Sequence, residues 1–167
     1  MEQRISTAKY PSPVGMLTVA CDAEAIVGLW IENQKYYGAT IEKLPTEKGD
    51  TVLLRQARQW LHAYFQGKAP AIGELPLKPY GSPFRQKVWQ ILCSIPYGQT
   101  ITYGEIAAQI AGSGKLASQA VGGAVGHNPI SIIIPCHRVL GAGGQLTGYA
   151  GGVDKKLWLL RHEGVEI

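Results

Sequence analysis

Apolar residues change their spacing along the chain, from short runs with strand character to the three-to-four residue spacing of helices. Three runs of the first kind are separated by turn-forming residues and predict an antiparallel meander: residues 5–10, 16–21 and 25–31. Residues 51–66 then carry apolar side chains at helical spacing. Gly67 follows at the position where a helix C-terminal cap is expected.

Four prolines lie within residues 67–83, and proline at this density cannot continue a helix. We therefore predict a linker here, with an N-terminal α/β domain over residues 1–78 and a C-terminal domain over residues 79–167. The second domain opens with a clear helix start, because Ser82 is a preferred N-cap residue and Pro83 suits the first helical position.

The C-terminal domain is predicted to be mostly helical. After the helix that starts at Pro83, apolar spacing predicts a second helix over residues 102–111 and a third over about residues 115–126. A glycine turn at residues 112–114 joins them. Two short helices joined in this way form either a helix-turn-helix or an ordinary helical hairpin. The chain as a whole is predicted to be α+β.

The third predicted helix is unusually thin. Its small residues include three glycines, and each mid-helix glycine costs about 0.5–1 kcal/mol relative to alanine: Ala117, Ala120, Gly122, Gly123, Ala124 and Gly126. A helix that accepts this cost repeatedly indicates close approach on that face. The approaching group is either another helix or a nucleic-acid backbone.

Composition and charge restrict the class of protein. Hydrophobic residues make up 46% and charged residues 17%, which excludes a disordered chain. No apolar run reaches the ~20 residues that span a bilayer, and the N-terminus has no signal-peptide core, so a cytoplasmic protein without membrane contact is expected.

The net charge of +4 is mildly basic, with +1 in residues 1–78 and +3 in residues 79–167. Between Ile106 and Val153 the only charged side chains are Lys115 and Arg138. Such a stretch can approach phosphates without repulsion, or it can be a buried glycine-rich core segment.

Three cysteines are scattered along the chain, which favours neither a disulfide framework nor a zinc site, and no metal site is predicted. Cys21 and Cys93 are interpreted as small buried hydrophobic residues. Cys136 differs, because Pro135 fixes the chain before it and His137 follows, after a β-branched run at residues 130–134 that predicts a buried strand. We hypothesise that His137 and Arg138 lower the pKa of this thiol and make it a nucleophile.

Several segments together closely resemble the O6-alkylguanine-DNA alkyltransferase family. They cover residues 80–165 and include the very specific stretch Pro135-Cys136-His137-Arg138-Val139, with Asn128-Pro129 before it, Gly148-Tyr149-Ala150-Gly151-Gly152 after it, and residues 82–89, 95–98, 102–103 and 159–164. The N-terminal part fits in layout more than in motif. The resemblance implies a ribonuclease-H-like α/β domain, followed by a mostly helical, winged-helix-like domain with a DNA-binding helix-turn-helix.

The resemblance also implies a single-turnover reaction without a cofactor. Cys136 attacks the alkyl carbon on O6 of guanine in double-stranded DNA, or on O4 of thymine. Its thiolate forms through a water relay to His137, which Glu163 orients, as in a triad. Tyr103 donates toward N3 of the leaving guanine, and Asn128 braces the turn that presents the cysteine.

Further residues acquire roles from the same resemblance. Tyr149 walls the pocket, the Ala150 N–H faces O6, Gly151 keeps the pocket open, and the carbonyls of Cys136 and Val139 accept from the exocyclic amine. The third helix enters the minor groove while guanine is flipped out; its candidate DNA contacts, with one from the active-site turn, are Lys115, Ser118, Gln119, Ala120, Gly122 and Arg138. Gln119 departs from the family, which places an arginine there.

The sequence leaves three other hypotheses about function open. A non-catalytic relative would bind alkylated bases, but such proteins carry tryptophan where this chain has Cys136. A thiol hydrolase or redox enzyme could use Cys136 and His137. A plain helix-turn-helix regulator would leave residues 135–139 unexplained. A monomer in solution, with cooperative binding along DNA left open, is expected.

Overall fold

The computed structural model describes residues 4–111 and 118–167. The described chain forms two compact units. The first ends at Tyr80 and also takes in Pro129–Ile133, and the second begins at Gly81 and contains the rest. The first unit is therefore discontinuous in sequence.

The first unit is built on a four-stranded sheet in the order β3-β2-β1-β4. Its strands are β1 (Ile5–Ser12), β2 (Gly15–Cys21), β3 (Ile26–Ile31) and β4 (Thr46–Lys48). Strands β1, β2 and β3 pair antiparallel, so the predicted meander is confirmed. Strand β4 was not predicted, because its three residues are exposed and polar; it pairs parallel with β1.

Helix α1 (Val52–Phe65) confirms the predicted helix in this unit. Thr51 is its N-cap, and the side-chain oxygen accepts from the Leu54 N–H at 3.3 Å. The buried face is apolar and follows the helical period: Leu54, Ala57, Trp60, Leu61 and Tyr64.

Its described residues give the second unit four α-helices and a two-stranded parallel sheet. The helices are α2 (Pro83–Cys93), α3 (Tyr103–Ala111), α4 (Ser118–Gly126) and α5 (Val153–His162). The strands are β5 (Ile101–Thr102) and β6 (Val139–Leu140). Ser82 caps α2 as predicted, accepting from the Arg85 N–H at 3.2 Å. The predicted turn at residues 112–114 and helix start at residues 115–117 lie outside the described residues.

The predicted strand over residues 130–134 is wrong, although the segment is buried. Only Ile130 forms a bridge, to Leu29 of β3. The Leu29 N–H donates to the Pro129 carbonyl, and the Ser131 N–H donates to the Leu29 carbonyl, both at 2.9 Å. Ile132 then adopts φ 72°, a left-handed conformation that turns the chain and ends any pairing. In the described part of the chain, no helix has the length and apolarity that crossing a bilayer requires.

Candidate active site

Cys136 opens a short 3-10 turn, Cys136–Arg138, which leads directly into β6. The Cys136 N–H donates to the Ile134 carbonyl at 2.8 Å, and the Arg138 N–H donates to the Pro135 carbonyl at 3.0 Å. The cysteine is 5% exposed. The turn thus holds the thiol at the edge of a packed interior.

Asn128 ties the end of α4 to this turn. Its side-chain Nδ2 donates to the Ile134 carbonyl at 2.8 Å, two residues before the cysteine. The same side chain hydrogen-bonds the Cys136 thiol. Since Asn128 is 4% exposed, both contacts form in a buried environment where hydrogen bonds are strong.

His137, Arg138 and Glu163 form a buried ionic cluster. His137 Nε2 lies 2.6 Å from Glu163 Oε2. Arg138 donates through Nε to Oε1 at 2.7 Å and through Nη2 to Oε2 at 3.1 Å, and its Nη1 donates to the Ile95 carbonyl at 2.7 Å. The carboxylate therefore accepts from both side chains, in the two-point geometry that suits a guanidinium.

This cluster fixes the protonation states of its members. Burial raises the pKa of Glu163, but hydrogen bonds from His137 and Arg138 and the positive charge of Arg138 outweigh it and hold that pKa well below its usual range. Burial lowers the pKa of His137, against the pull of Glu163. The imidazole is thus neutral at pH 7, with Nε2–H donating to the carboxylate. Nδ1 keeps its lone pair and has no hydrogen-bond partner among the described residues.

Burial raises the pKa of the Cys136 thiol. Hydrogen bonding by Asn128, the positive charge of Lys156 and the influence of the nearby Tyr149 side chain act in the opposite direction. The groups that favour the thiolate therefore differ from the expected pair, His137 and Arg138. The Arg138 charge is instead neutralised by Glu163, whose Oε1 lies 2.7 Å from Arg138 Nε.

Tyr103, at the start of α3, belongs to a second polar group in this unit. The Thr147 hydroxyl donates to Tyr103 Oη at 3.2 Å. Lys156 Nζ, from α5, lies 3.5 Å from Thr147 Oγ1 and 3.3 Å from the Gly148 carbonyl. Neither Thr147 nor Lys156 was singled out from the sequence. Lys156 could have been found, because it shares the buried face of α5 with Leu159, Leu160 and Glu163 at helical spacing.

The remaining predicted pocket residues lie in the same unit. Val139 is fully buried in β6, next to the cysteine turn. Tyr149 interacts with the Cys136 thiol, and Ala150 and Gly151 follow it, half-buried, in the loop that leads to α5.

The predicted DNA-contacting residues divide into three groups. Those on α4 are Ser118, Gln119 and Ala120, which are exposed on its first turn, and Gly122, which is half-buried on the next. Lys115 lies outside the described residues. Arg138 is buried and bound to Glu163, so its placement argues against the predicted DNA contact.

The glycines of α4 discriminate between the two readings of its thin face. A Cβ on Gly123 or on Gly126 would meet nothing within 4 Å, and one on Gly122 would only touch the Tyr103 ring at 3.9 Å. Packing within the described chain therefore does not require these glycines. The observation favours an external partner over a neighbouring helix.

The described chain thus combines, in its second unit, a buried thiol, a neutral imidazole held by a carboxylate and a thin, partly exposed helix. Two family models match this chain: the ribonuclease-like domain of 6-O-methylguanine DNA methyltransferase over residues 5–79, and its DNA binding domain over residues 83–165. The chain belongs to the 6-O-methylguanine DNA methyltransferase family. The predicted fold class is thereby confirmed, with a ribonuclease-like first part and a helical second part.

Relatives match the chain over nearly its whole length. A methylated-DNA--protein-cysteine methyltransferase of Salmonella typhimurium is 42% identical over 168 residues, which cover 96% of this chain and 96% of the relative. The protein of that name from Mycobacterium tuberculosis is 45% identical over 153 residues, covering 91% and 88%. The crystal structure of Mycobacterium tuberculosis OGT in complex with DNA has a TM-score of 0.81 at 41% identity, covering 96% and 92%.

Proposed function

We propose that this chain repairs DNA by transferring the alkyl group from O6 of guanine, and from O4 of thymine, to Cys136. The observation that carries the proposal is a buried Cys136 thiol, hydrogen-bonded by Asn128, in the same turn as His137, whose Nε2 lies 2.6 Å from Glu163 Oε2. The relatives' printed name, a protein-cysteine methyltransferase acting on methylated DNA, supports the same reaction.

The thiol is activated by removal of its proton toward His137. Nδ1 is the free basic atom of the neutral imidazole, and one water molecule relays the proton to it from Cys136. Glu163 stabilises the imidazolium that forms, through the 2.6 Å contact to Nε2. The thiolate then attacks the alkyl carbon in line with the bond to O6, which breaks, and its electron pair stays on guanine.

The departing guanine needs its developing charge neutralised, and Tyr103 supplies this by donating its proton to N3. Tyr149 forms the wall of the pocket, the Ala150 N–H faces O6, and Gly151 leaves room for the base. The carbonyls of Cys136 and Val139 accept from the exocyclic amine. A thioether has no easy reverse reaction, so each molecule acts once.

DNA is brought to the site through α4. The exposed side chains of Ser118, Gln119 and Ala120, with Gly122 behind them, enter the minor groove, and Gln119 occupies the gap left by the flipped base. Contact with DNA is supported by the relative solved in complex with DNA. A cytoplasmic location is part of this proposal, and the three free cysteines, which suit a reducing compartment, support it.

The deciding experiment is intact-protein and peptide mass spectrometry after incubation with a duplex that contains one O6-methylguanine. We expect one added methyl group on the Cys136 peptide, none in Cys136→Ala, and normal transfer in Cys93→Ala, the matched control thiol. Tight binding without a mass change would instead identify a non-catalytic alkylated-base-binding protein.

The role of Gln119 is tested separately. Because glutamine has less reach than arginine and no charge, Gln119→Arg is expected to speed transfer from duplex DNA several-fold. It should barely change the reaction with free O6-benzylguanine, which needs no base flipping. An equal effect on both substrates would exclude insertion by this residue.

A further inference from the structure

Three side chains of the second unit form a hydrogen-bonded row that ends at Tyr103. Lys156 Nζ lies 3.5 Å from Thr147 Oγ1, and Thr147 Oγ1 lies 3.2 Å from Tyr103 Oη. Lys156 comes from α5, Thr147 from the loop before it and Tyr103 from α3. The row thus connects three separate elements through one threonine.

The direction of the hydrogen bonds in this row is set by its first member. An ammonium group has donors only, so Thr147 Oγ1 accepts from Lys156. The threonine hydrogen is then directed at Tyr103 Oη, which accepts it. The phenolic hydrogen of Tyr103 is left to point away from Thr147 and is available to another acceptor.

We propose that Thr147 is a positioning residue for alkyl transfer, which aims the Tyr103 hydroxyl at the leaving base and couples it to the buried Lys156 ammonium. The inference rests on the proposed function, in which Tyr103 protonates the departing guanine. No direct contact between Thr147 and the substrate is required, since it acts through Tyr103.

The proton balance closes along the row. As the bond from the alkyl carbon to O6 breaks, the Tyr103 O–H bond breaks and its proton goes to N3 of guanine. Thr147 passes its proton to the phenolate and takes one from Lys156, whose ammonium becomes a neutral amine. Solvent later returns that proton. The developing phenolate is stabilised throughout by a donor that is itself polarised by a cation.

Lys156 is suited to this step by its surroundings. Its side chain is fully buried, and within residues 4–111 and 118–167 its hydrogen-bond partners are oxygens of Thr147 and Gly148 rather than a carboxylate. Burial lowers the pKa of Lys156 to about 8, with Cys136 acting in the opposite direction. Such an ammonium releases its proton far more readily than an exposed lysine. Its Nζ also lies 5.9 Å from the centre of the Tyr103 ring.

The backbone beside Thr147 leaves space for this orientation. A Cβ placed on Gly141 would lie 2.7 Å from Thr147 Cγ2, too close for any real contact. Gly141 has φ −75° and ψ 178°, which every residue adopts easily. The absence of a side chain at this position is therefore explained by the threonine rather than by the backbone.

The test compares two electrophiles that differ in what their leaving groups need. Free O6-benzylguanine requires protonation of the departing base, whereas iodoacetamide releases iodide, which needs no proton. Thr147→Val keeps the shape and removes the hydroxyl; Thr147→Ser, the matched control, keeps the hydroxyl. In single-turnover kinetics we expect Thr147→Val to slow benzyl transfer about tenfold, the effect of roughly one hydrogen bond. Its iodoacetamide rate, and both rates of Thr147→Ser, should stay within twofold of wild type.

A double-mutant comparison with Tyr103→Phe checks that the effect passes through the tyrosine. Once the phenol is absent, Thr147→Val should slow benzyl transfer no further. Equal slowing with both electrophiles, or a full effect of Thr147→Val in the Tyr103→Phe background, would overturn the proposal. If Thr147→Val fails to fold, Thr147→Ala serves in its place.

Failure of this inference is distinguishable from failure of the proposed function. If wild-type protein shows no benzyl transfer to Cys136, the function itself is wrong. If transfer occurs and Thr147→Val leaves its rate unchanged, only the role of Thr147 is wrong.

Discussion

The second unit buries two cations in contrasting ways. The Arg138 guanidinium is held by both oxygens of Glu163, at 2.7 and 3.1 Å, and by the Ile95 carbonyl. The Lys156 ammonium has longer contacts, 3.3 and 3.5 Å, to a carbonyl and a hydroxyl. Arg138 also lies over the Tyr97 ring at 5.7 Å, and Lys156 lies over Tyr103 at 5.9 Å.

The different partners of Arg138 and Lys156 make the first a permanent charge and the second a charge that can be lost. Glu163 stays ionised near pH 7 because its pKa is held well below its usual range, and it neutralises the buried Arg138. The pair anchors His137 in one orientation. Lys156 has no such counter-charge in the described structure, so its buried charge costs stability and is lost at mildly alkaline pH. The proposed proton transfers would thus take place between a rigid ionic pair and one cation that can lose its charge.

Removing the shared carboxylate should have the largest effect. Glu163→Gln leaves the Arg138 guanidinium buried without a counter-charge, and breaking such a pair costs about 3–5 kcal/mol. We expect that loss in the free energy of unfolding, measured by urea titration at pH 7. Glu166→Gln, an exposed carboxylate three residues further on, is the control and should change little. A loss no greater than the control's would show that the Arg138 pair is not a structural anchor.

Replacing the labile cation should change the pH dependence of stability. The pKa of Lys156 is about 8 in the folded protein, against 10.5 ordinarily. Between these values the unfolded chain binds more protons, so the Lys156 contribution to stability rises with pH, by about 3 kcal/mol in total. Below pH 8 both states are protonated, and the cost of burying the charge is fully present.

Lys156→Met removes this titration and keeps the apolar stem. Urea unfolding at pH 7, 8, 9 and 10 should find the variant at least as stable as wild type at pH 7. The free energy of unfolding of wild type should then increase relative to that of the variant as pH rises. A stability difference that is constant over this pH range would contradict a lowered pKa of the buried Lys156.

The close packing of Gly141 against Thr147 can be disrupted by one substitution and restored by a second. Gly141→Ala places a methyl group against Thr147 Cγ2, and because the threonine side chain is short and stiff, we expect a loss of about 1–3 kcal/mol. Thr147→Ser deletes that Cγ2, so the double variant should regain most of the loss. Thermal unfolding of the two single variants and the double variant measures the recovery, and strictly additive losses would argue against this contact.

An exposed ion pair should matter least. Asp50, which contacts Arg55 and Arg58, has a side chain 63% exposed. Solvent screens this interaction, so Asp50→Asn should lower the free energy of unfolding by less than about 1 kcal/mol, and by less still in 1 M salt. A cost comparable with that of Glu163→Gln would mean that burial is not what distinguishes the Arg138 pair.

Sequence reasoning succeeded where a local rule decides the outcome. Thr51 and Ser82 cap helices because their side chains reach N–H groups three residues ahead, and this depends on nothing distant. The strand prediction over residues 130–134 is wrong because its outcome depends on distant contacts. Its β-branched residues favour a strand, but Ile132 adopts a left-handed conformation and only Ile130 finds a partner in β3.

The candidate site shows the same division. Cys136 and His137 are adjacent in sequence, so the local pattern alone predicts a nucleophile there. The Arg138–Glu163 pair spans 25 residues and the Thr147–Tyr103 contact spans 44, and neither spacing has a sequence pattern. The predicted DNA contact of Arg138 disagrees with the structure because its partner, Glu163, lies 25 residues further along the chain.

The return of Pro129–Ile133 to the first unit limits how this protein can be recombined. Its backbone hydrogen bonds with Leu29 complete the edge of β3, using residues encoded far downstream of the rest of that unit. A gene fusion that joins two relatives at Tyr80 and Gly81 therefore exchanges part of the first unit together with the second. A chimaera keeps the first unit intact when residues 129–133 come from the same parent as residues 1–80. Such chimaeras should be more stable than those made with a single junction after Tyr80.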